Sequence, residues 1–555
     1  MRSLGEYSRI CEPIKLPDTT TTLGTLAYDS SCLSRPARIR GREPLQVSRD
    51  APGETPSRQG WRGWSRHAMH HETTETNRGR KNSLSMRNIF LSIEFYKREC
   101  QTASCFFLRL VGHQIRNKER RTRTKAMSKI LITLALMCAN LQAQVTVPSI
   151  DADAEQSVSS FTEPANPVIE WNRTLLVIVR TPGAQPPTIH STRSFAILHA
   201  AMYDAVNNID GSFSPYLVRL SNISRQASEP AAADQAAHDV LVALYPAFQA
   251  TLDGELQQDL AQIPEGQDKT DGVTVGEAVA VHILAFRKDD GANAAPPPFT
   301  AENEAGDYQL TPPNFAPADF TQWPAVTPFA LARADEFRTS PPPQLASDEY
   351  ARMFNEVKSL GMLDSTTRTP EQTLIGKFWN GNIQDFWNEI AQTAAARHNL
   401  SLPQSARLLA LLNISLADTT IGFFEAKYTY RFWRPVTAIR LADDDGDPRT
   451  KPAANWLPLS TKTAPDPSYP GAHSAISFAG AEVLKAYFGD RFAFDVTSES
   501  SQGVTRHFNT FSAAAQEAGL SRIYAGQHFR TDHIAGRRLG QQVAESVVDT
   551  MLLPR

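Results

Sequence analysis

The chain has 555 residues with 56 Lys+Arg, 59 Asp+Glu and a net charge of −3, so overall charge does not make it a nucleic-acid binder, and a hydrophobic share of 41% suits a folded core. All five cysteines, Cys11, Cys32, Cys100, Cys105 and Cys138, lie in the first quarter. Everything after Cys138 therefore lacks a disulfide scaffold, a thiolate zinc site, an iron–sulfur cluster and a cysteine nucleophile.

Residues 1–126 carry 24 Lys+Arg against 12 Asp+Glu, leaving 32 against 47 for the rest. They keep no period of 2 or 3.6 and read as a basic leader, disordered or wrongly translated, in preference to a nucleic-acid arm. Met127 opens MSKILITLALMCANLQAQ, a lysine followed by the apolar run Ile130–Ala139 and the small Ala143. The run is too short for a bilayer and has the form of a secretory signal peptide over 127–143. The expectation is translation from Met127 and a secreted or periplasmic protein beginning at Gln144. No later apolar run reaches 18 residues, so no integral membrane segment is expected in the mature chain.

Residues 144–185 read as irregular and extended, punctuated by Pro148, Pro164, Pro167 and Pro182. Helical patterning covers Ser194–Asn208, Ala232–Ile263 and Val273–Arg287. The eleven prolines from Pro296 to Pro343 exclude a regular helix or central strand. They give a long connection between two helical halves, 144–345 and 346–555. The second half is expected to hold helices at Ser347–Leu360, Glu371–Trp379, Gln384–His398, Ser405–Lys427, Ser474–Phe488 and Ile523–Leu553. Ser405–Lys427 is apolar all round and is expected to be buried. Strand signals are sparse, so the class is all-α, a helical bundle with long loops.

Three segments carry chemistry. Lys427 and Arg434 are seven residues apart, which on a helix puts them on one face until Pro435 ends it. Two cations continuing a buried helix need an anion, although a helix end also favours cations. In Asp466-Pro-Ser-Tyr-Pro470-Gly471-Ala472-His473-Ser474, a Pro-Gly turn feeds a helix whose first N–H groups form an anion cradle. His473 there suits a general acid or base. In Ser521-Arg522-x5-His528-x3-Asp532, an i, i+4 carboxylate can orient the imidazole, and Arg522 is expected before the helix start, with Gly526 in the turn. His528 is then a ligand or nucleophile toward an anion.

Together, K-x6-R-P, P-x-x-H and S-R-x5-H-x3-D over about 420–550 resemble the vanadium-dependent haloperoxidase and type 2 phosphatidic acid phosphatase superfamily. Residues 194–208 and 329–361 resemble its bacterial secreted haloperoxidase-like branch. The resemblance implies a helical bundle of the haloperoxidase or acid phosphatase type. It implies vanadate, or phosphate in the same place, held by Lys427, Arg434, Arg522 and the backbone of Gly471 and Ala472. His528 would be the axial ligand of vanadium, or the phosphorylated nucleophile of a phosphatase; His473 would be the acid–base and Asp532 the support behind His528. Hydrogen peroxide and a halide are then the substrates, with a soluble acid phosphatase acting on a phosphomonoester as the alternative and a non-catalytic oxyanion-binding protein as a third reading. The family motif usually reads P-S-G-H, whereas Pro470-Gly471-Ala472-His473 lacks the serine hydroxyl. That charge-assisted hydrogen bond contributes about 1.5–3 kcal/mol, so anion affinity is expected to be lower. A homo-oligomer is compatible with the sequence.

Outside these motifs, Asp443-Asp-Asp-Gly-Asp447 lacks calcium-loop spacing and reads as a solvated loop. His199, His238 and His282 fall on apolar helices and read as core histidines. His507 and His533 flank the third motif, His533 nearer the site.

Overall fold

The computed structural model describes residues 166–555 and the strand β1 (Ile14–Lys15), which pairs in parallel with β2 (Leu220–Ser221). The basic leader and the Met127 segment otherwise lie outside the described residues. Helix α1 (Pro167–Arg180) occupies a passage expected to be irregular. Its proline sits in the first turn, where no hydrogen bond is lost, and Asn166 caps it by accepting the Val168 N–H at 3.2 Å. Val168, Trp171, Leu175 and Ile178 bury one face. The prolines were thus a helix start and a helix stop, not evidence against a helix.

Helix α2 (Ser191–Asp210) is buried almost end to end. The stretch expected as one helix over 232–263 is two, α3 (Glu229–Leu244) and α4 (Gln249–Ala261), because Pro246 has no N–H to continue the ladder. Helix α5 (Gln267–Arg287) packs against α3 and α2. The Pro-rich connection follows, with a 3₁₀ turn at Trp323–Ala325. It is fastened to the core by Asp418, whose carboxylate accepts the N–H groups of Phe329, Ala330 and Leu331 at 2.6, 2.8 and 2.9 Å. Burial pushes that carboxyl up to about 6, opposed by the three amides.

The second half contains α6 (Asp348–Leu360), α7 (Pro370–Phe378), α8 (Ile383–Arg397) and α9 (Leu402–Tyr430). Ser401 and Gln404 form a capping box at the start of α9. Its 29 residues are long and apolar enough to cross a bilayer, but they pack against α2, α11 (Ala472–Phe488) and α13 (Arg530–Thr550) as the core of the bundle. Between α9 and α11 lies the short α10 (Pro435–Arg440).

Two expectations for the C-terminal third are corrected. An antiparallel hairpin, β3 (Arg491–Thr497) and β4 (Thr505–Thr510), follows α11, with Phe494 opposite Phe508. The stretch 523–553 is not one helix: α12 (Phe511–Tyr524) ends before Gly526, whose φ of +75° turns the chain, and α13 begins at Arg530. Among the described residues the class is all-α, with this small hairpin and the two-residue β1–β2 pair.

Helices α11 and α13 approach closely because α13 presents Gly536 and Gly540 one turn apart. A Cβ on Gly536 would lie 2.3 Å from the Gly471 carbonyl oxygen, and one on Gly540 2.0 Å from that of Ala475. This contact joins the second and third chemical segments.

Candidate active site

The turn after α9 is set by Arg431, in the left-handed region at φ +50°, whose N–H returns to the Lys427 carbonyl at 2.8 Å. The chain then leaves the helix, and Arg434 becomes the N-cap residue of α10. Lys427 and Arg434 therefore do not share a helix face as expected. They converge on Asp466 instead: its Oδ1 accepts from Lys427 Nζ at 2.8 Å and from Arg434 NH2 at 2.6 Å. Both cations are 1% exposed.

Apolar neighbours in sequence hold these segments. Phe432, Trp433, Tyr469 and Phe529 sit in one buried cluster with Tyr350 and Phe354 of α6, fixing Arg434, Ser468 and His528 beside them. The Pro-rich connection braces the same place. Trp433 N–H donates to Gly306 O at 2.9 Å, and Asp319 N–H donates to Pro465 O at 2.9 Å. Burial and the charge of Asp466 push the Asp319 carboxyl up to about 8.

Lys427 uses all three N–H bonds on one short segment: Asp466 Oδ1, the Pro467 carbonyl and the Ser468 carbonyl, the last at 3.2 Å. Burial lowers its pKa to about 8, with Asp466 opposing. Arg434 donates from Nε to the Asp466 carbonyl at 2.8 Å, and from NH1 to the Gln527 carbonyl and His528 Nε2, each at 3.1 Å. Burial would raise the Asp466 carboxyl, but Lys427 and Arg434 more than offset it and hold it below the usual range.

Arg522 lies before the start of α13 with Gly526 in the turn between, as expected, and is itself in the last turn of α12. Its NH1 and NH2 each donate to Asn380 Oδ1 at 3.3 Å, and NH1 reaches the Trp379 carbonyl at 3.5 Å. Its buried Nε has no hydrogen-bond partner, and Arg522 has no carboxylate partner among the described residues. Burial and then Arg434 lower its pKa to about 10.

His528 precedes α13, so the expected helical i, i+4 relation is replaced by a cap. Asp532, in the first turn, accepts with Oδ2 from the Phe529 N–H at 3.0 Å, from Ser468 Oγ at 2.5 Å and from His528 Nδ1 at 3.0 Å. Because Nδ1 faces a carboxylate, the network assigns it the proton and leaves the Nε2 lone pair accepting from Arg434. Burial, then Arg434, Lys427 and Arg522, keep the imidazole pKa well below its ordinary 6.5. Burial raises the Asp532 carboxyl to about 6 against its donors, and its Oδ1 has no partner among the described residues.

His473 is the second residue of α11 and donates from Nε2 to the Trp379 carbonyl at 3.1 Å. Nδ1 is then its basic nitrogen. Burial and Arg522 hold its pKa well below 6.5, partly opposed by the Trp379 and Gly381 carbonyls. The Gly471 N–H is not a free donor: it bonds to the Asp532 carbonyl at 2.9 Å. A Cβ there would sit 3.1 Å from that oxygen, a tight contact that a small shift of the Asp532 backbone would relieve. Ala472 N–H opens α11 and has no partner within the helix.

The sequence reading missed Asp466 and Ser468 as partners of site residues, and Trp379 and Asn380 as the loop that holds His473 and Arg522. Asp466 and Ser468 lie inside a motif already singled out; Trp379 and Asn380 carry no local signal. The Asp443–Asp447 loop is internally bonded, Asp445 accepting from Thr450 and the Asp447 N–H, and no group of metal-ligating side chains occurs among the described residues. His533 bonds Ser474 Oγ at 2.9 Å, next to the site and outside it.

Three buried cations, two of them sharing the Asp466 carboxylate, with an orphaned guanidinium nitrogen on the third, fit a tetrahedral oxyanion. Comparisons with known proteins agree. Residues 407–553 match the family model described as the VCPO second helical-bundle domain. The chain is 25% identical to vanadium chloroperoxidase of Curvularia inaequalis over 71% of this chain and 82% of the relative. These matches support the vanadium-dependent haloperoxidase superfamily for this chain. Among solved structures, a bacterial vanadium-dependent iodoperoxidase is similar with a TM-score of 0.60 and 26% identity, covering 71% of this chain and 99% of that one. A holo-type bacterial vanadium-dependent chloroperoxidase shares the fold at a TM-score of 0.53 and 16% identity, covering 69% and 97%.

Proposed function

We propose that this protein is a vanadate-dependent haloperoxidase that oxidises a halide with hydrogen peroxide. The observation that carries the reading is the convergence of Lys427, Arg434 and Arg522 beside a histidine that Asp532 orients with its Nε2 toward Arg434. Vanadate bound there supplies a Lewis-acidic centre at which peroxide is activated toward halide. Lys427, Arg434 and Arg522 would bind its oxygens and neutralise their charge, the α11 N-terminus at Ala472 would add a backbone donor, and His528 Nε2 would be the ligand nitrogen. Asp532 fixes the His528 tautomer and strengthens Nε2 as a donor. His473, kept neutral by burial, accepts a proton from peroxide at Nδ1. Phosphate fits the same donors. Secretion through the segment beginning at Met127 belongs to the same proposal, supported by the lysine, the apolar run and Ala143.

The test is bromination of a diketone or dye by the purified protein with peroxide and bromide, before and after vanadate is added. Vanadate-dependent bromination is expected. No oxidation of iodide, bromide or chloride, together with hydrolysis of a phosphomonoester, would replace this reading by a phosphatase with a phosphorylated His528.

A further inference from the structure

The cations of the site are already engaged by one segment of the chain. Asp466 Oδ1 lies between Lys427 Nζ at 2.8 Å and Arg434 NH2 at 2.6 Å, the arrangement an oxygen of a bound oxyanion would adopt toward the same donors. The remaining two Lys427 N–H bonds go to the carbonyls of Pro467 and Ser468. Arg434 NH1 meanwhile donates to His528 Nε2, the nitrogen assigned to the incoming centre. Neither Lys427 nor the lone pair of His528 is thus free for an anion unless existing bonds are exchanged. Asp466 is able to give way. Its other oxygen makes no hydrogen bond to the described residues, and its side chain keeps 12% exposure, against 1% for the two cations.

We propose that Asp466 is a built-in counter-anion that competes with the oxyanion for Lys427 and Arg434, so that binding proceeds by exchange of these ion pairs and release of His528 from Arg434. The competition rests on the oxyanion-binding reading above. It keeps two buried cations satisfied when no anion is bound, where unpaired charges would be costly. It also sets the affinity below what three unopposed cations would give. Arg522, outside this ion-pair set, is the cation available for first encounter.

The experiment is calorimetric titration of orthovanadate, and separately of inorganic phosphate, into the full-length wild type and Asp466→Asn. The exchange predicts that Asp466→Asn binds both anions at least tenfold more tightly, which is about 1.4 kcal/mol. If wild type binds and Asp466→Asn binds equally or more weakly, the carboxylate positions the cations without competing, and the proposal is overturned while the oxyanion reading stands. If neither protein binds either anion at millimolar concentration, both are overturned. Should Asp466→Asn fail to fold, a crystal structure of the wild type soaked in vanadate decides. Displacement of Asp466 Oδ1 from Lys427 or Arg434 supports the exchange, and both ion pairs persisting beside a bound anion overturns it.

Discussion

Replacing Gly540 by alanine sets two effects of known size against each other. In a helix interior alanine is favoured over glycine by about 1 kcal/mol, so α13 alone would gain. The added Cβ, however, would lie 2.0 Å from the Ala475 carbonyl oxygen, 2.9 Å from its carbon and 3.0 Å from the Ala479 nitrogen. All three are backbone atoms of α11, and no side chain can turn aside. The helices must part by roughly 1 Å, and overpacking of this kind costs about 1–3 kcal/mol, with rigid backbone at the upper end. The net expectation is a loss of about 1–2 kcal/mol in urea unfolding. The same movement separates His473, at the start of α11, from His528, just before α13, so vanadate affinity should fall by about tenfold or more, since a 1 Å misplacement is large on the scale of a positioned site. Gly254 in α4 is the control: nothing lies within 4 Å of its Cβ position, and Gly254→Ala should stabilise by about 0.5–1 kcal/mol. A Gly540→Ala protein as stable as wild type with unchanged vanadate affinity would refute the close contact and its role in setting the site.

Asp532→Asn should weaken vanadate binding by about 10- to 100-fold in the same titration, because it removes the charge-assisted bond that orients His528; unchanged affinity would remove Asp532 from the site. His473→Gln should leave vanadate affinity within about threefold while lowering halide turnover by about 10²–10⁴, and retained turnover would assign the proton transfer elsewhere. His199, buried and neutral with a pKa lowered to about 3, makes stability fall with acid, since the unfolded chain takes up a proton from pH 6.5 downward and the folded one only near 3. Wild type should therefore lose about 2–3 kcal/mol more than His199→Gln between pH 6.5 and 4.5, and parallel urea curves for the two proteins would exclude this.

The buried helix, the Pro-rich connection and the three motif segments were legible because each is a local pattern: an all-round apolar run, a proline cluster, cations and histidines at fixed spacings. The errors arose where one residue type has two local meanings. Pro167 reads in the sequence as a breaker of structure and instead opens α1. The seven-residue spacing of Lys427 and Arg434 suggested a shared helical face, but the left-handed Arg431 ends the helix between them. Convergence survived this because Asp466 gathers both cations from outside the helix. Trp379 and Asn380 could not be found from the sequence, since their part is played by a backbone carbonyl and a single amide brought in from α7 and its loop, 142 residues before Arg522. Gly471 is legible as a departure from a motif, but the commitment of its N–H to the Asp532 carbonyl, at 2.9 Å, exists only in three dimensions.

The grip of Asp418 on the connection bears on how such a protein can be divided. The recognisable signature, 407–553, starts inside α9 and contains every charged group proposed to hold the oxyanion. Yet α9 is covered on one side by α2, and the carboxylate of Asp418 is satisfied by amides of Phe329, Ala330 and Leu331, all outside the signature. A fragment cut to the signature would carry an unpaired buried carboxylate and a bare apolar flank, and should aggregate. The smallest piece that could be exchanged between relatives as a working module therefore reaches back to α2, so the stretch that identifies the protein is shorter than the stretch that must be inherited together.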